Sequence, residues 1–207
     1  MLDQDILNQL KGIFAGLKSE ITFSMAARDD TPQATEMKSF LEDVASTSPK
    51  LSVDTVQADV EAPGFEILKN GEASGISFCG VPNGHEFTTL LLAVLNADGQ
   101  GKNLPDSILR GRIEALKGPI KLRTFVSLTC TNCPDVAQAL NLVALLNPAV
   151  ENEVIDGATV PELAESLNIQ SVPTVYAGNQ VLSVGRSTLG DLLDKLEAMY
   201  GTEESGE

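Results

Sequence analysis

The sequence predicts an α/β fold made of two similar halves, each with a central mixed β-sheet flanked by helices. Short apolar runs of strand length alternate with segments in which apolar residues recur at helical spacing. The order of these elements repeats once, and a segment rich in Gly, Asn and Asp at 96–106 separates the copies. We therefore expect one half over 1–100, a second over 101–200, and an acidic tail or the start of a linker over 201–207.

In the first half, apolar periodicity, helix-start residues and turn residues define seven elements. The hairpin signal Asn70-Gly71 separates the last two strands. The predicted helices are 2–17, 32–44 and 85–95, and the predicted strands are 21–25, 51–56, 65–68 and 76–78.

The second half repeats this order. Its predicted helices are 107–116, 130–146, 160–167 and 188–200, and its predicted strands are 120–128, 154–155, 174–176 and 181–184. A shift of 102 residues places Phe23 on Phe125 and Pro32 on Pro134. The same shift sets Arg28 opposite Cys130 and Thr31 opposite Cys133, so the first half has the scaffold without the two thiols.

Charge and hydropathy limit the partners and the compartment. The 207 residues include 29 acidic and 14 basic side chains, a formal net charge of −15. Such a surface repels phosphate backbones and anionic lipid, so we expect neither a nucleic-acid nor a membrane partner. The first residues are acidic where a signal peptide is basic, and no apolar run reaches the roughly 20 residues that span a bilayer. These features predict a cytoplasmic protein.

The segment Cys130-Thr131-Asn132-Cys133 carries the candidate chemistry. Two intervening residues at the first turn of a helix bring two sulfurs within disulfide distance. The helix N-terminus favours a thiolate on Cys130, and Pro134 suits the first turn because its missing N–H would have no partner. The spacing alone leaves three interpretations open: a redox pair, a metal site completed by Cys79 and His85, or an inert core pair.

Val172-Pro173 favours the redox interpretation. A Val-Pro about 40 residues after the cysteines, at the entry to an alternating strand, matches the cis-proline loop beside a thioredoxin-type dithiol. Cys130 is then the attacking thiol and Cys133 the resolving thiol. Cys79 has no partner at useful spacing and is expected to be a small buried apolar residue, with His85 structural.

Several segments together resemble the N-terminal domain of alkyl hydroperoxide reductase flavoprotein subunits. They are Leu128 to Val136 with Gln138 to Leu142, Asn147-Pro148, Ile155-Asp156-Gly157, Val172-Pro173, and Gly84 to Thr88 in the first half. The resemblance extends over almost the whole chain. It implies an α/β fold of two fused thioredoxin-like domains, of which only the second carries a dithiol.

The resemblance also implies a function. Such a domain takes electrons from a flavin- and NADH-dependent disulfide reductase module and passes them to a two-cysteine peroxiredoxin, which reduces peroxides. Carried over by motif, Cys130 and Cys133 form the redox centre. Glu86 resembles an acidic residue that the first half presents near that centre, where it could accept the proton of Cys133. Alternatively, Glu86 is an ordinary helix-start carboxylate.

The sequence departs from the family pattern at two points. Thr131 stands where a His often follows the first cysteine, so we expect a somewhat more reducing pair. The chain has no Gly-x-Gly-x-x-Gly, so FAD and NADH are expected on a separate or missing reductase module, with no cofactor bound here. Two alternative functions remain: a general protein disulfide reductase, and a non-enzymatic docking adaptor with a structural cysteine pair.

Overall fold

The order of helices and strands in the first half recurs in the second, which has one additional short helix. The computed structural model describes residues 2–28, 31–101 and 103–202. The helices are α1 (Gln4–Phe14), α2 (Pro32–Ala45), α3 (Phe87–Ala97), α4 (Ser107–Ala115), α5 (Cys133–Leu146), α6 (Pro161–Ser166) and α7 (Leu189–Tyr200). The strands are β1 (Ile21–Ala27), β2 (Leu51–Gln57), β3 (Gly64–Lys69), β4 (Glu72–Cys79), β5 (Ile120–Val126), β6 (Val150–Asp156), β7 (Thr174–Ala177) and β8 (Gln180–Val184). A 3₁₀ turn, Gly84–Glu86, precedes α3.

The two halves have the same strand topology. In the first, β1 pairs with β2 in parallel and with β3 antiparallel, and β3 pairs with β4 antiparallel. In the second, β5, β6, β7 and β8 repeat these three pairings in the same order. Helices flank the strands of both halves. The predicted fold class, two fused thioredoxin-like units of mixed sheet and helices, is therefore confirmed.

One parallel pairing joins the halves into a single sheet. β4 pairs with β6, with Ile76 opposite Asn152 and Cys79 opposite Ile155. The resulting eight-stranded sheet has the order β2-β1-β3-β4-β6-β5-β7-β8. The sequence did not predict this pairing, because local periodicity identifies strands but not their distant neighbours.

The two faces of the sheet are covered unequally. Side chains from α1–α5 and α7 form one continuous core with one face, and this core includes both halves. On the other face a smaller cluster around Phe125, Ile155 and Tyr176 lies against Leu163 of α6. Beside that cluster an open cleft of about 510 Å³ runs over β1, β3, β4 and β6.

Helix α5 packs at the centre of the molecule. It contacts β4, β5 and β6 of the sheet and packs against α3 of the first half. Behind it, the Thr124 hydroxyl donates to Asn152 Oδ1 at 2.8 Å, and Asn152 Nδ2 donates to Asn141 Oδ1 at 2.8 Å. All three side chains are buried, so this hydrogen-bonded chain fixes β5, β6 and α5 relative to one another.

The predicted linker at 96–106 is partly structural. Helix α3 extends to Ala97, and the buried Asp98 carboxylate accepts hydrogen bonds from the backbone N–H groups of Lys18 and Ser19. Gln100 also donates to this carboxylate. The segment after α1 is thereby tied to the end of the first half. The boundary near residue 100 stays a prediction, and residues 203–207 of the predicted tail lie outside the described residues.

Other local predictions hold with shifted ends. The hairpin turn at Asn70-Gly71 is present, with φ of 50° and 84° at its two residues. Helix α1 is shorter than the predicted 2–17, and β6 is longer than the predicted 154–155. None of the helices in the described part of the chain is long and apolar enough to cross a membrane.

Replacing Asn152 with Ala tests the buried hydrogen-bonded chain. The change leaves the Thr124 hydroxyl and Asn141 Oδ1 without their buried partners and opens a small cavity. We expect the free energy of unfolding to fall by about 2–4 kcal/mol. Chemical denaturation measures this, with Asn8→Ala on the exposed side of α1 as the control, expected within about 0.5 kcal/mol of wild type. Equal small effects in both variants would contradict the role of Asn152.

Replacing Asp98 with Asn tests the contact between α3 and the segment after α1. Burial alone would raise the Asp98 pKa, but the hydrogen bonds from Ser19, Gln100 and Lys18 lower it below its ordinary value. The carboxylate therefore stabilises the fold above its ordinary pKa of about 3.9, and this contribution is lost as the pH falls through the lower folded value.

We expect Asp98→Asn to lower the free energy of unfolding by about 1–3 kcal/mol at neutral pH. The difference from wild type should shrink in acid, where both proteins lack the charged group. Denaturant titrations at neutral and acid pH measure both quantities. A difference that stayed constant across this range would show that the charge of Asp98 does not contribute.

Candidate active site

The two cysteines lie where β5 passes into α5. Strand β5 ends at Val126, a short loop follows, and α5 begins at Cys133 with Pro134 in its first turn. Cys130 and Cys133 form a disulfide, with their Cα atoms 5.5 Å apart. Helix α5 starts three residues later than predicted, so Cys130 lies in the loop, where its N–H donates to the Ser127 carbonyl at 2.9 Å.

The two sulfurs differ in their access to solvent. Cys130 is partly exposed, and the two intervening residues, Thr131 and Asn132, are exposed. Cys133 has no exposed surface and belongs to the main core. Because thiol–disulfide exchange requires a direct approach of sulfur to sulfur, Cys130 is the one that a partner can reach.

The Val172-Pro173 segment lies beside Cys130. Its peptide bond is cis, and the Val172 carbonyl oxygen is 3.8 Å from Cys130 Sγ. The Pro173 carbonyl accepts a hydrogen bond from Gly185 N–H at 2.8 Å, which holds this segment against the start of β7 and the end of β8. The structure thus brings together three of the predicted features: the two cysteines and the Val-Pro loop.

The first half contributes Glu86, close to the loop between β5 and α5 that carries Cys130. His85 N–H donates to the Leu128 carbonyl at 3.0 Å, two residues before Cys130. Gly84 adopts φ of 57°, and a Cβ there would collide with the same carbonyl, so glycine permits the close approach. The 3₁₀ turn that carries Glu86 also contacts α5.

The Glu86 carboxyl group is buried in the core. Its residue is 1% exposed, and neither carboxylate oxygen has a hydrogen-bond partner within the described residues. Burial raises the pKa of Glu86 to about 7; nearby Thr89 lowers it and Asp156 raises it further. Such a group can exchange a proton near neutral pH. Glu86 also directly precedes α3, so the alternative of a helix-start carboxylate stays open beside this one.

Cys79 and His85 are not part of the disulfide site. Cys79 ends β4, is half-buried and lines the open cleft on the other face of the sheet. Burial, together with Glu153, Glu61 and Asp156, raises its pKa to about 12, so it is a protonated thiol at neutral pH. His85 is exposed. Among the side chains that the structure describes, no group of three or more His, Cys, Asp or Glu residues is placed to hold a metal ion.

Asp156 lies near Glu86, although the sequence patterns assign it no role. This residue ends β6, next to Val126 of β5, and it affects the pKa values of both Glu86 and Cys79. Its position at the end of a predicted strand was the available signal, because the ends of parallel strands gather at one edge of a sheet. That β4, and with it the segment carrying Glu86, lies next to β6 was not predictable, because the sequence patterns do not indicate the β4–β6 pairing.

Comparison with known proteins identifies relatives of both the whole chain and its second half. A family model described as a thioredoxin domain matches residues 120–197. The F subunit of alkyl hydroperoxide reductase from Staphylococcus epidermidis is 37% identical over 204 residues, which are 99% of this chain and 39% of that protein. The chain thus spans about two fifths of the length of this relative.

Solved structures match the complete fold. The NTD_N/C domain of alkylhydroperoxide reductase AhpF from Enterococcus faecalis has a TM-score of 0.85 and 32% identity, with 95% of this chain and 100% of that domain covered. A protein disulfide oxidoreductase from Aeropyrum pernix has a TM-score of 0.83 at 18% identity, covers 97% and 95% of the two chains, and shares the fold alone. The chain therefore belongs to the family of N-terminal, thioredoxin-fold domains of the alkyl hydroperoxide reductase AhpF.

Proposed function

We propose that the chain is a dithiol/disulfide electron carrier. It accepts electrons from a flavin- and NADH-dependent disulfide reductase module and passes them to a two-cysteine peroxiredoxin in peroxide detoxification. The observation that carries this proposal is the disulfide at the start of α5, with one accessible sulfur beside the Val172 carbonyl. The similarity to the alkyl hydroperoxide reductase AhpF supports the choice of partners.

In the reduced chain, Cys130 acts as the nucleophile. Its thiolate attacks a partner disulfide, forms a mixed disulfide and releases one partner thiolate. The N-terminus of α5 favours the thiolate, since unpaired N–H groups and the helix dipole carry partial positive charge there. Thr131 and Asn132 are exposed, so a partner chain can contact the segment between the two cysteines.

Cys133 then resolves the mixed disulfide. Its thiol loses a proton, and the new thiolate attacks Cys130 Sγ, which restores the internal disulfide and releases the second partner thiolate. Two electrons leave the chain, and the partner becomes a dithiol. Because Cys133 is fully buried, external nucleophiles are kept away from the step that it performs.

Glu86 is the proton acceptor for Cys133 in this proposal. A pKa of about 7 leaves a substantial carboxylate fraction at neutral pH and makes the protonated form accessible too. The group can therefore take a proton when Cys133 attacks and return it when the disulfide is reduced again. Burial in the core without a hydrogen-bond partner among the described residues supports this role over a purely structural one.

The cofactors of the relay belong to another module. We expect FAD and NADH on a reductase module that is either fused to this domain or a separate protein, and none on the described domain itself. Because NADH is a cytoplasmic reductant and the dithiol must be regenerated after each turnover, we place the relay in the cytoplasm.

Single replacements of the three cysteines test the exchange mechanism. We expect Cys130→Ser and Cys133→Ser each to abolish NADH-dependent peroxiredoxin reduction, because each step requires its own sulfur. Cys133→Ser should accumulate a mixed disulfide between Cys130 and the partner. Cys79→Ser is the matched control and should keep full turnover, since its thiol stays protonated and takes no part in the disulfide. Full turnover in either of the first two variants would exclude the mechanism.

Replacing Glu86 with Gln tests the proton acceptor by pH dependence. In wild type, the resolution rate should rise as the pH passes through about 7, where Glu86 loses its proton. We expect Glu86→Gln to lose this inflection and to resolve about a hundredfold more slowly above it. Stopped-flow kinetics of the reduced chain with a disulfide substrate measure both. A wild-type profile in the variant would exclude Glu86 as the acceptor.

The stability of the same variant gives an independent control. Between the ordinary Glu pKa and the raised folded value, the folded state keeps a proton that the unfolded state has lost. Wild-type stability therefore declines with rising pH, by up to about 1.4 kcal/mol per pH unit. Glu86→Gln should flatten this decline, because the amide does not ionise. Denaturation at several pH values then verifies the burial of Glu86 separately from its role in exchange.

A further inference from the structure

The buried Glu86 carboxyl group needs a route for its proton. Its oxygens find no hydrogen-bond partner in the described part of the chain, although the residue is only 1% exposed. An unpaired polar group in a core costs free energy, and structures often meet this cost with a bound water. A carboxyl group that exchanges protons also needs contact with solvent, directly or through such a water.

A small cavity lies beside Glu86, at the junction of the halves. It is lined by Glu86 and by Asp156 at the end of β6. The ends of β4 and β5 and the segments that follow them, including Leu128, complete the wall. The volume open to the centre of a water molecule is about 10 Å³. That is about the minimum that holds one water, and two carboxylates on its wall give the water the polar partners that it requires.

Asp156 also borders a second space that leads to the surface. A cleft of about 140 Å³ is lined by Asp156 and Leu128 together with Glu36 of α2 and Thr159. Asp156 is half-buried, and its Oδ1 accepts a hydrogen bond from Ala158 N–H at 3.2 Å. Its carboxylate therefore borders both the small cavity beside Glu86 and the outer cleft, and a hydrogen bond within its own turn orients it.

We propose that one water bridges Glu86 and Asp156, and that Asp156 is a positioning residue which passes the Cys133 proton from Glu86 to the outer cleft. This inference rests on the proposed role of Glu86 as proton acceptor. It adds a second carboxylate, from the thiol-bearing half, to the one that the first half supplies.

The step balances in atoms and charge. Cys133 S–H gives its proton to the Glu86 carboxylate as Cys133 Sγ bonds to Cys130 Sγ and the partner thiolate leaves. The protonated Glu86 then donates to the bridging water, which passes a proton to Asp156, and Asp156 releases it to solvent in the cleft. On reduction of the disulfide the same route runs backwards. No oxidant or reductant beyond the partner disulfide is required.

Among the residues that the structure describes, the other ionisable groups around Glu86 do not offer this route. Cys79, which lines the same cavity from β4, is held protonated by its pKa of about 12. His85, on the same turn as Glu86, is exposed. On α5, Asp135 is exposed and pairs with Arg186 at 3.6 Å, and on α2, Glu36 borders only the outer cleft.

The test separates a proton route from a simple charge effect. Removing the Asp156 charge by Asp156→Asn takes away a group that raises the Glu86 pKa, so more Glu86 is ionised below neutral pH. A charge effect alone therefore makes resolution faster in mild acid. Loss of the route makes it slower, and we expect it to be about tenfold slower, less than the loss of the acceptor itself.

The reduced chain is mixed with dithiobisnitrobenzoate, which releases one coloured thiolate on attack by Cys130 and a second when Cys133 resolves. The first release reports that the site remains folded. Glu36→Gln is the matched control, because it removes a carboxylate from the cleft but not from the cavity, and should leave the second release unchanged. The double variant Cys130→Ser, Cys133→Ser measures the slow reaction of Cys79 alone.

Slower second release in Asp156→Asn, with the first release and the control unchanged, supports the route. An unchanged or faster second release in Asp156→Asn, while Glu86→Gln slows it, overturns the route and leaves the role of Glu86 in place. If Glu86→Gln itself releases the second thiolate at the wild-type rate, the proposed acceptor fails, and the route fails with it.

Discussion

The parallel pairing of β4 with β6 is the contact on which the arrangement of the site depends. It aligns β4, β5 and β6 in one direction, so that Cys79, Val126 and Asp156 end at the same edge of the sheet. The segments that follow these strands carry Glu86, the cysteine loop and the turn at Asp156. Because the carboxyl ends of parallel strands converge, groups from two halves of the chain meet at one place.

Helix α5 also fixes the position of the site. It lies across the joined strands and against α3, so its first turn, which holds Cys133, is supported from both halves. The hydrogen-bonded chain from Thr124 through Asn152 to Asn141 joins the same helix to β5 and β6. A buried sulfur and a buried carboxyl group keep their positions only if the surrounding core is well packed, and this core includes side chains of both halves.

Much of this could be predicted from residues close in sequence. The repeat, the hairpin at Asn70-Gly71 and the thiol pair before α5 follow from periodicity, turn chemistry and spacing, which act over a few residues. The burial of Glu86, the contact of Asp98 with the segment after α1 and the position of Asp156 depend on which strands and loops become neighbours. Those contacts join residues that are far apart in the chain, and single-sequence patterns carry little information about them.

The same strand pairing limits which substitutions the first half can accept. This half has no thiol pair, but it covers the edge of β6 and places Glu86 beside the Cys130 loop. A substitution that loosens β4 would shift an acidic group and a sulfur together. The packing of one half therefore sets the geometry around the disulfide in the other.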